Sequence, residues 1–161
     1  LEVNALFRLL SKYITIELNE LHKQNIRVSI MGRIGGLPAR AQADLQHCID
    51  LTKDNTAMVV NVALNYGGRA EIADAAKHLA KEAVAGQLRP DSIDEATFAK
   101  YLYVPQLPDP DLLIRTSGEL RLSNFMLWQM SYAEIVVLPT FWPDFRKSHL
   151  HEAIAAQNSK S

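Results

Sequence analysis

The sequence is short of several things, and each shortage removes a class of protein. Cysteine occurs once in 161 residues, as Cys48. No internal disulfide can form, and the fold must rest on a buried core. Cys48 lies between Leu45 and Ile49 on an expected helix, where a buried, inert thiol is the simplest role. This usage fits a reducing compartment. No apolar run approaches the roughly 20 residues that span a bilayer. Neither sign of charge dominates: Lys and Arg number 17 against 18 Asp and Glu, for a net charge of −1. Without a basic excess or basic run, broad nucleic-acid binding is not expected. Repeats and low-complexity segments are absent too. The five histidines are scattered. His22, His47 and His78 fall on expected helix surfaces, and His149 and His151, two apart on a helix, face different ways.

What remains is an ordinary soluble composition, 48% hydrophobic and 22% charged, laid out in alternating periods. Val3, Leu6, Leu9, Leu10, Ile14, Leu18 and Leu21 recur at helical spacing over residues 2–23, with Asn25 as the stop. NIRVSIMG (residues 25–32) alternates as a strand. A turn at residues 35–38 leads into a helix to about Leu51, Pro38 suiting its first turn. TAMVVNVALNYGG (residues 56–68) is the most apolar strand, with the β-branched run of a parallel sheet. Further helices are expected over residues 69–85, with Gly86 as C-cap, and over 93–101, capped by Asp91 or Ser92. DLLIR then reads as a strand, residues 123–132 as a helix and AEIVVL (residues 133–138) as a strand. A last helix has Asp144 as its N-cap, and the tail from about 157 to 161 reads as frayed. Strands separated by helices give an α/β fold with a mainly parallel central sheet, here as one domain over 1–161.

Such sheets bind ligands beyond the carboxyl ends of their strands, and two strand ends carry chemistry. In NYGGRAEI (residues 65–72) two glycines join a strand to a helix whose first N–H groups attract anions. The pattern lacks the glycine fingerprint of dinucleotide sites and the Lys-Ser/Thr pair of a Walker loop, so a tight turn is the better reading. DLLIRTSGELRLSNF (residues 111–125) is sharper. Arg115 ends an apolar strand, and Arg121 and Ser123 follow within nine residues. Guanidinium forks match phosphate oxygens. Two of them suit a diphosphate, and Ser123 is placed both to cap a helix and to donate to the same anion. The competing arrangement is a surface ion pair of Arg121 with Glu119. Taken alone, Glu134 reads as a strand-edge carboxylate facing water. Met58, Val60, Val62 and Leu64 share one strand face.

NVALNYGGRAEI, DPDLLIRTSGELRLSNFMLWQMSYAEIVVLPTFWPDF and LHKQNIRVSIMG together resemble the cis-prenyltransferases, nearest to bacterial undecaprenyl diphosphate synthase, over residues 1 to about 156. The resemblance implies a Mg²⁺-dependent enzyme that condenses isopentenyl diphosphate repeatedly onto farnesyl diphosphate. The product is a membrane-destined lipid, the carrier precursor for cell-wall synthesis. It implies a cytoplasmic homodimer, at the inner face of the membrane. Arg115, Arg121 and Ser123 would hold the isopentenyl diphosphate, Leu122 would contribute backbone, and Glu134 would bind Mg²⁺. Some members have a histidine at the Leu120 position, and leucine cannot ligate. Met58, Val60, Val62 and Leu64 would line an apolar tunnel. The family's Met-Asp-Gly-Asn-Gly-Arg-Trp-Ala-like motif, whose aspartate binds magnesium with the primer, is not in these residues. The chain is therefore expected to be the C-terminal two-thirds, without a catalytic residue of its own and inactive alone. The alternative is a non-catalytic partner subunit of a heteromeric enzyme. The intact arginines and the lack of an Arg-x-Gly ending weigh against it.

Overall fold

The computed structural model describes Leu9, Tyr13 and residues 16–158. Of the helix expected over residues 2–23, Leu9, Tyr13 and residues 16–23 are helical, and we call this segment α1. Val3, Leu6, Leu10 and Ile14, expected on the same helix, lie outside the described residues. Two compact units, Leu1–Tyr66 and Gly67–Ser161, divide the chain.

The first unit is a β-α-β arrangement. β1 (Ile26–Met31), α2 (Ala39–Thr52) and β2 (Met58–Ala63) follow α1. β1 and β2 pair in parallel from Ile26 beside Met58 to Met31 beside Ala63. Asn25, at φ 58°, ends α1 and turns the chain into β1. The side chains of α1 and α2 pack on one face of this ladder. Leu18, Val28 and Cys48 form one buried cluster, and Leu37, Ala41 and Leu45 a second. Cys48 is buried, as its neighbours in the sequence imply, and burial pushes its thiol pKa up. At the carboxyl end of β1, Gly32 has φ +126°, and a Cβ there would sit 2.0 Å from the Leu64 carbonyl oxygen. Only glycine permits that approach.

A buried hydroxyl ties helix to sheet. Thr52 is fully buried. Its Oγ1 donates to the Cys48 carbonyl at 2.8 Å and accepts from the Val28 N–H at 3.0 Å.

The second unit begins with α3 (Gly68–Val84), which Gly86 terminates at φ +71°. Then come α4 (Glu95–Ala99), β3 (Leu112–Arg115), β4 (Glu134–Val137) and α5 (Lys147–Asn158). β3 and β4 are parallel, with Leu112 beside Glu134 and Arg115 beside Val137. Val136, Leu138 and Ala153 form the core under α5, joined by Leu112, Ile114 and Phe145.

The α/β class expected from the sequence is thus present, and every described strand pairing is parallel. The pairings form two two-stranded ladders, one within each unit. Three local expectations need correction. Residues 123–128 are turns, followed by a 3₁₀ segment at Gln129–Tyr132. Ser123, Asn124 and Met126 have φ of 50°, 62° and 44°, which no α-helix accommodates, so Ser123 caps no helix. Asp144 belongs to a 3₁₀ turn, and α5 starts later, its entry fixed by the Arg146 N–H donating to His149 Nδ1 at 2.9 Å. The cap of α4 is Asp94, whose Oδ1 accepts from the Thr97 N–H at 2.7 Å, in place of Asp91 or Ser92. Of the expected frayed tail, residues 157–158 are helical, and 159–161 lie outside the described residues. Among the described residues no helix is long and apolar enough to cross a membrane.

Thr52→Val keeps shape and volume but strands the Val28 N–H, so it should destabilise the fold by about 1–3 kcal/mol. The shift of the urea midpoint at constant m-value measures this.

Candidate diphosphate-binding site

The second unit brings Arg115, Arg121 and Ser123 together, and it places Glu119 among them. Arg115 is the last residue of β3. The chain beyond it is stitched to the end of β4. The Leu138 N–H donates to the Arg115 carbonyl at 2.8 Å, the Ser117 N–H to Thr140 O at 2.9 Å, and the Gly118 N–H to Leu138 O at 2.9 Å. Ser117 and Gly118 take φ of 65° and 68°, so the backbone reverses there and returns Glu119 toward Arg115.

Glu119 bridges the two guanidinium groups. One of its oxygens, Oε2, accepts from an Arg115 terminal nitrogen at 3.0 Å and from Arg121 Nε at 3.1 Å. The other, Oε1, accepts from an Arg121 terminal nitrogen at 2.5 Å. Arg115 also donates to Ser123 Oγ at 3.1 Å. The ion pair named as the competing arrangement is therefore present, but it includes both arginines and carries a net charge of +1. All three charged side chains reach solvent, at 31%, 40% and 68% exposure for Arg115, Glu119 and Arg121. Pairs this exposed add little to stability, so the grouping is not explained as a structural brace. Arg115 Nε is buried and has no hydrogen-bond partner. A buried, unpaired guanidinium N–H is costly, so stability alone does not account for its placement.

The loop between Arg121 and β4 is held from a second side. The Gly68 N–H donates to the Asn124 carbonyl at 2.7 Å, and the Arg69 N–H donates to Asn124 Oδ1 at 2.9 Å. The two glycines of NYGG thus serve a close approach of backbone, and the first N–H groups of α3 are taken by Asn124. Asn124 escaped the sequence reading because the Ser-Asn pair was assigned to a helix. The tolerance of both residues for left-handed backbone was the available signal.

Leu122 is half-buried and accepts from the Phe125 N–H at 3.1 Å through its carbonyl. Leu120 is 77% exposed. Glu134 is not brought into this group. It pairs with Leu112, three residues before Arg115, about 10 Å back along the strand. Its Oε2 is buried without a partner, a condition that a cation relieves. Mg²⁺ can bind through a single carboxylate with substrate oxygens and water, so Glu134 fits as one ligand. No cluster of three acidic, His or Cys side chains occurs among the described residues.

The first unit contains a separate apolar cavity of about 210 Å³, lined by Val28 and Ile30 of β1, Val60 and Val62 of β2, Leu45 and Cys48 of α2, and Leu21 of α1. Tyr13 and Glu17, both exposed, stand at its rim. Two of the four residues expected along a tunnel, Val60 and Val62, are in this wall. Met58 opens β2 at its amino end and is 52% exposed. Leu64 lies past the strand and packs against the cluster of Leu37, Ala41 and Leu45.

Residues 1–161 match the family described as "Putative undecaprenyl diphosphate synthase". The chain belongs to this family. It is 53% identical over 153 residues to an isoprenyl transferase of Heliobacterium mobile, covering 95% of this chain and 59% of that protein. It is 45% identical over 153 residues to the ditrans,polycis-undecaprenyl-diphosphate synthase ((2E,6E)-farnesyl-diphosphate specific) of Vibrio cholerae serotype O1, covering 95% and 61%. Among solved structures, lavandulyl diphosphate synthase from Lavandula x intermedia, in complex with dimethylallyl diphosphate, superposes with a TM-score of 0.93 at 38% identity, covering 97% of this chain and 68% of that one. The fold is thus that of the cis-prenyltransferases. The chain spans about three fifths of the length of the curated relatives it matches.

The two arginines do not contribute equally to the electrostatics of Glu119. Hydrogen bonds from Arg121, and secondarily from Arg115, hold its carboxyl below the ordinary glutamate range, against an opposing effect of burial. A depressed folded-state pKa means that the pairing is fully in place above the unfolded glutamate value and is lost as pH falls through the lower, folded one. Arg121→Ala should raise the Glu119 pKa toward that of free glutamate, and Arg115→Ala should do so by a smaller step. A carbon-13 carboxyl titration by NMR reads both.

Proposed function

We propose that this chain supplies the isopentenyl diphosphate site of a cis-prenyltransferase, a Mg²⁺-dependent enzyme that extends farnesyl diphosphate by repeated condensation to a long polyprenyl diphosphate of about the undecaprenyl class. The observation that carries the proposal is the convergence of Arg115, Arg121 and Ser123 at the end of β3. Family membership supports it, as does the prenyl diphosphate bound by a structural neighbour of 38% identity.

On this reading each residue has a distinct task. Arg115, whose side chain is 31% exposed, offers the solvent-reaching part of its guanidinium to one phosphate oxygen. Arg121, the most exposed of the three charged groups, offers a fork to the other phosphoryl group. Ser123 Oγ already accepts from Arg115, which leaves its hydrogen to donate. Glu119 keeps both guanidinium groups side by side before substrate arrives, so little reorganisation accompanies binding. Leu122 adds backbone to the same turn. Holding the diphosphate fixes the alkene of isopentenyl diphosphate against the allylic carbon of the primer. A carbon–carbon bond forms there as the primer's carbon–oxygen bond breaks. Diphosphate departs with the electron pair, and loss of a proton from the extended chain restores a double bond. Glu134 would be one ligand of Mg²⁺, and the bound ion would supply charge neutralisation to the departing diphosphate.

The apolar cavity suits part of the growing hydrocarbon. At about 210 Å³ it is smaller than the roughly 300–1,000 Å³ of typical ligand pockets, so it holds a segment rather than a whole polyprenyl chain. Val60 and Val62 are its wall, and Met58 is the tunnel candidate farthest from it in environment. The same reading carries a homodimer located in the cytoplasm at the membrane's inner face.

The polypeptide that carries this chain should incorporate labelled isopentenyl diphosphate into a butanol-extractable lipid when given farnesyl diphosphate and Mg²⁺. Mass spectrometry of that lipid gives the number of units added. Arg121→Ala should raise the KM for isopentenyl diphosphate roughly 10- to 100-fold, the loss of one charge-assisted, forked contact. Unchanged kinetics would overturn the assignment. Retained diphosphate binding without incorporation would point to the non-catalytic partner subunit.

A further inference from the structure

We infer that Asn124 is a positioning residue for the diphosphate clamp, setting Ser123 and Arg121 against Arg115 by capping the first turn of α3. The inference rests on the function proposed above and concerns a residue that contributes no atom to the clamp.

Three contacts converge on Asn124. Its Oδ1 accepts from the Arg69 N–H at 2.9 Å, and its carbonyl accepts from the Gly68 N–H at 2.7 Å. Its Nδ2 lies so near Gly67 that a Cβ on that glycine would come within 2.8 Å of it. The next residues are as close. A Cβ on Gly68 would fall 2.8 Å from Leu127 Cγ and 3.0 Å from Leu127 N. The loop therefore lies on the start of α3 at the shortest distance that backbone allows, and two adjacent glycines make room for it. Gly67 is extended, at φ −158°, where any residue is accommodated. Its lack of a side chain is needed for space.

The anchored residue is the one next to the clamp. Ser123, whose Oγ meets Arg115, immediately precedes Asn124, and the two have φ of 50° and 62°. Left-handed backbone is unfavourable for residues with a side chain, least so for asparagine. Two consecutive residues in that conformation need compensation. The two hydrogen bonds to α3 provide it, and they satisfy N–H groups that a helix start otherwise leaves open. Without the Oδ1 acceptor the loop keeps only its backbone bond to the Gly68 N–H, a single pivot in place of two fixed points. Ser123 Oγ and the Arg121 backbone then move relative to Arg115, whose position is set independently by β3.

Asn124 has two separable properties, tolerance of left-handed backbone and the Oδ1 acceptor. Asn124→Gly keeps the first and deletes the second. Asn124→Asp keeps the acceptor. Gly67→Ala leaves Asn124 in place and pushes on its amide. Each variant of the polypeptide carrying this chain is titrated with isopentenyl diphosphate by calorimetry and assayed for KM and kcat. A urea midpoint establishes folding. Asn124→Gly should bind about tenfold more weakly, in line with a lost cap of roughly 1 kcal/mol or more and a displaced clamp. KM should rise far more than kcat falls. Asn124→Asp should recover most of the affinity, and Gly67→Ala should resemble Asn124→Gly. Affinity of Asn124→Gly equal to the unaltered protein would overturn the inference, leaving backbone tolerance as the sole role of Asn124. So would an Asp variant as weak as Gly. If Asn124→Gly does not fold, Gly67→Ala decides in the same two ways. Failure of the unaltered protein to bind isopentenyl diphosphate would instead sink the functional reading, and this inference with it.

Discussion

The geometry of the second unit depends on how eleven residues between Thr116 and Met126 are held. Five of them, Ser117, Gly118, Ser123, Asn124 and Met126, have positive φ. Four of the five carry side chains, and a free segment would rarely adopt such a set. Its shape comes from two anchors on independent elements. One end is bonded to the strand-end residues Leu138 and Thr140, the other to the start of α3. Between the anchors lie Glu119 and Arg121. The ionic cluster is thus suspended between β4 and α3, and its contacts with Arg115 depend on both.

This accounts for what the sequence revealed and what it concealed. The period-2 runs around Val28 and Val60 and the helical runs around Leu45 and Ala75 are dictated by burial on one face or stripe, and they appear directly in composition. Arg115 was legible because a charged residue closing an apolar strand is conspicuous. The segment from Ser123 to Tyr132 was not. Its apolar residues Phe125, Met126, Leu127 and Met130 imitate a helical stripe, but hydrogen bonds to Gly68 and Arg69, some 55 residues earlier in the chain, override that local preference. Asp144 was misread for a related reason. A good capping residue was followed by Phe145, which packs into the core beneath α5 and delays the helix. Glu134 shows the limit in the other direction. Its role came from resemblance, and the β3–β4 register, invisible in a single sequence, sets it back from the arginines.

The first unit obeys a simpler constraint. Two parallel strands present Val28, Ile30, Val60 and Val62 on one face, and among the described residues an apolar cavity lies between that face and α1 and α2. Closely packed interiors carry few voids larger than a water molecule. A cavity of about 210 Å³ forfeits dispersion contacts along its whole lining. Three Val and one Cys stand in its wall beside Leu21, Ile30 and Leu45, and larger side chains at those four positions would narrow it. Stability alone does not favour that choice, whereas a hydrocarbon occupant would restore the lost contacts.

Glu119 raises the question of why an anion site should contain an anion. Two guanidinium groups held together without a counter-charge would repel one another and splay into solvent, and each substrate molecule would have to gather them again. A carboxylate between them removes that cost and lowers the site's net charge from +2 to +1. The exposure of Arg121 and the partial exposure of Arg115 leave guanidinium surface that Glu119 does not occupy. A diphosphate can therefore add to the cluster without evicting the carboxylate. The site gives up part of its attraction for anions in general and gains a fixed arrangement of the donors that remain. Weaker attraction with better geometry favours a ligand whose oxygens match those donors over anions in general.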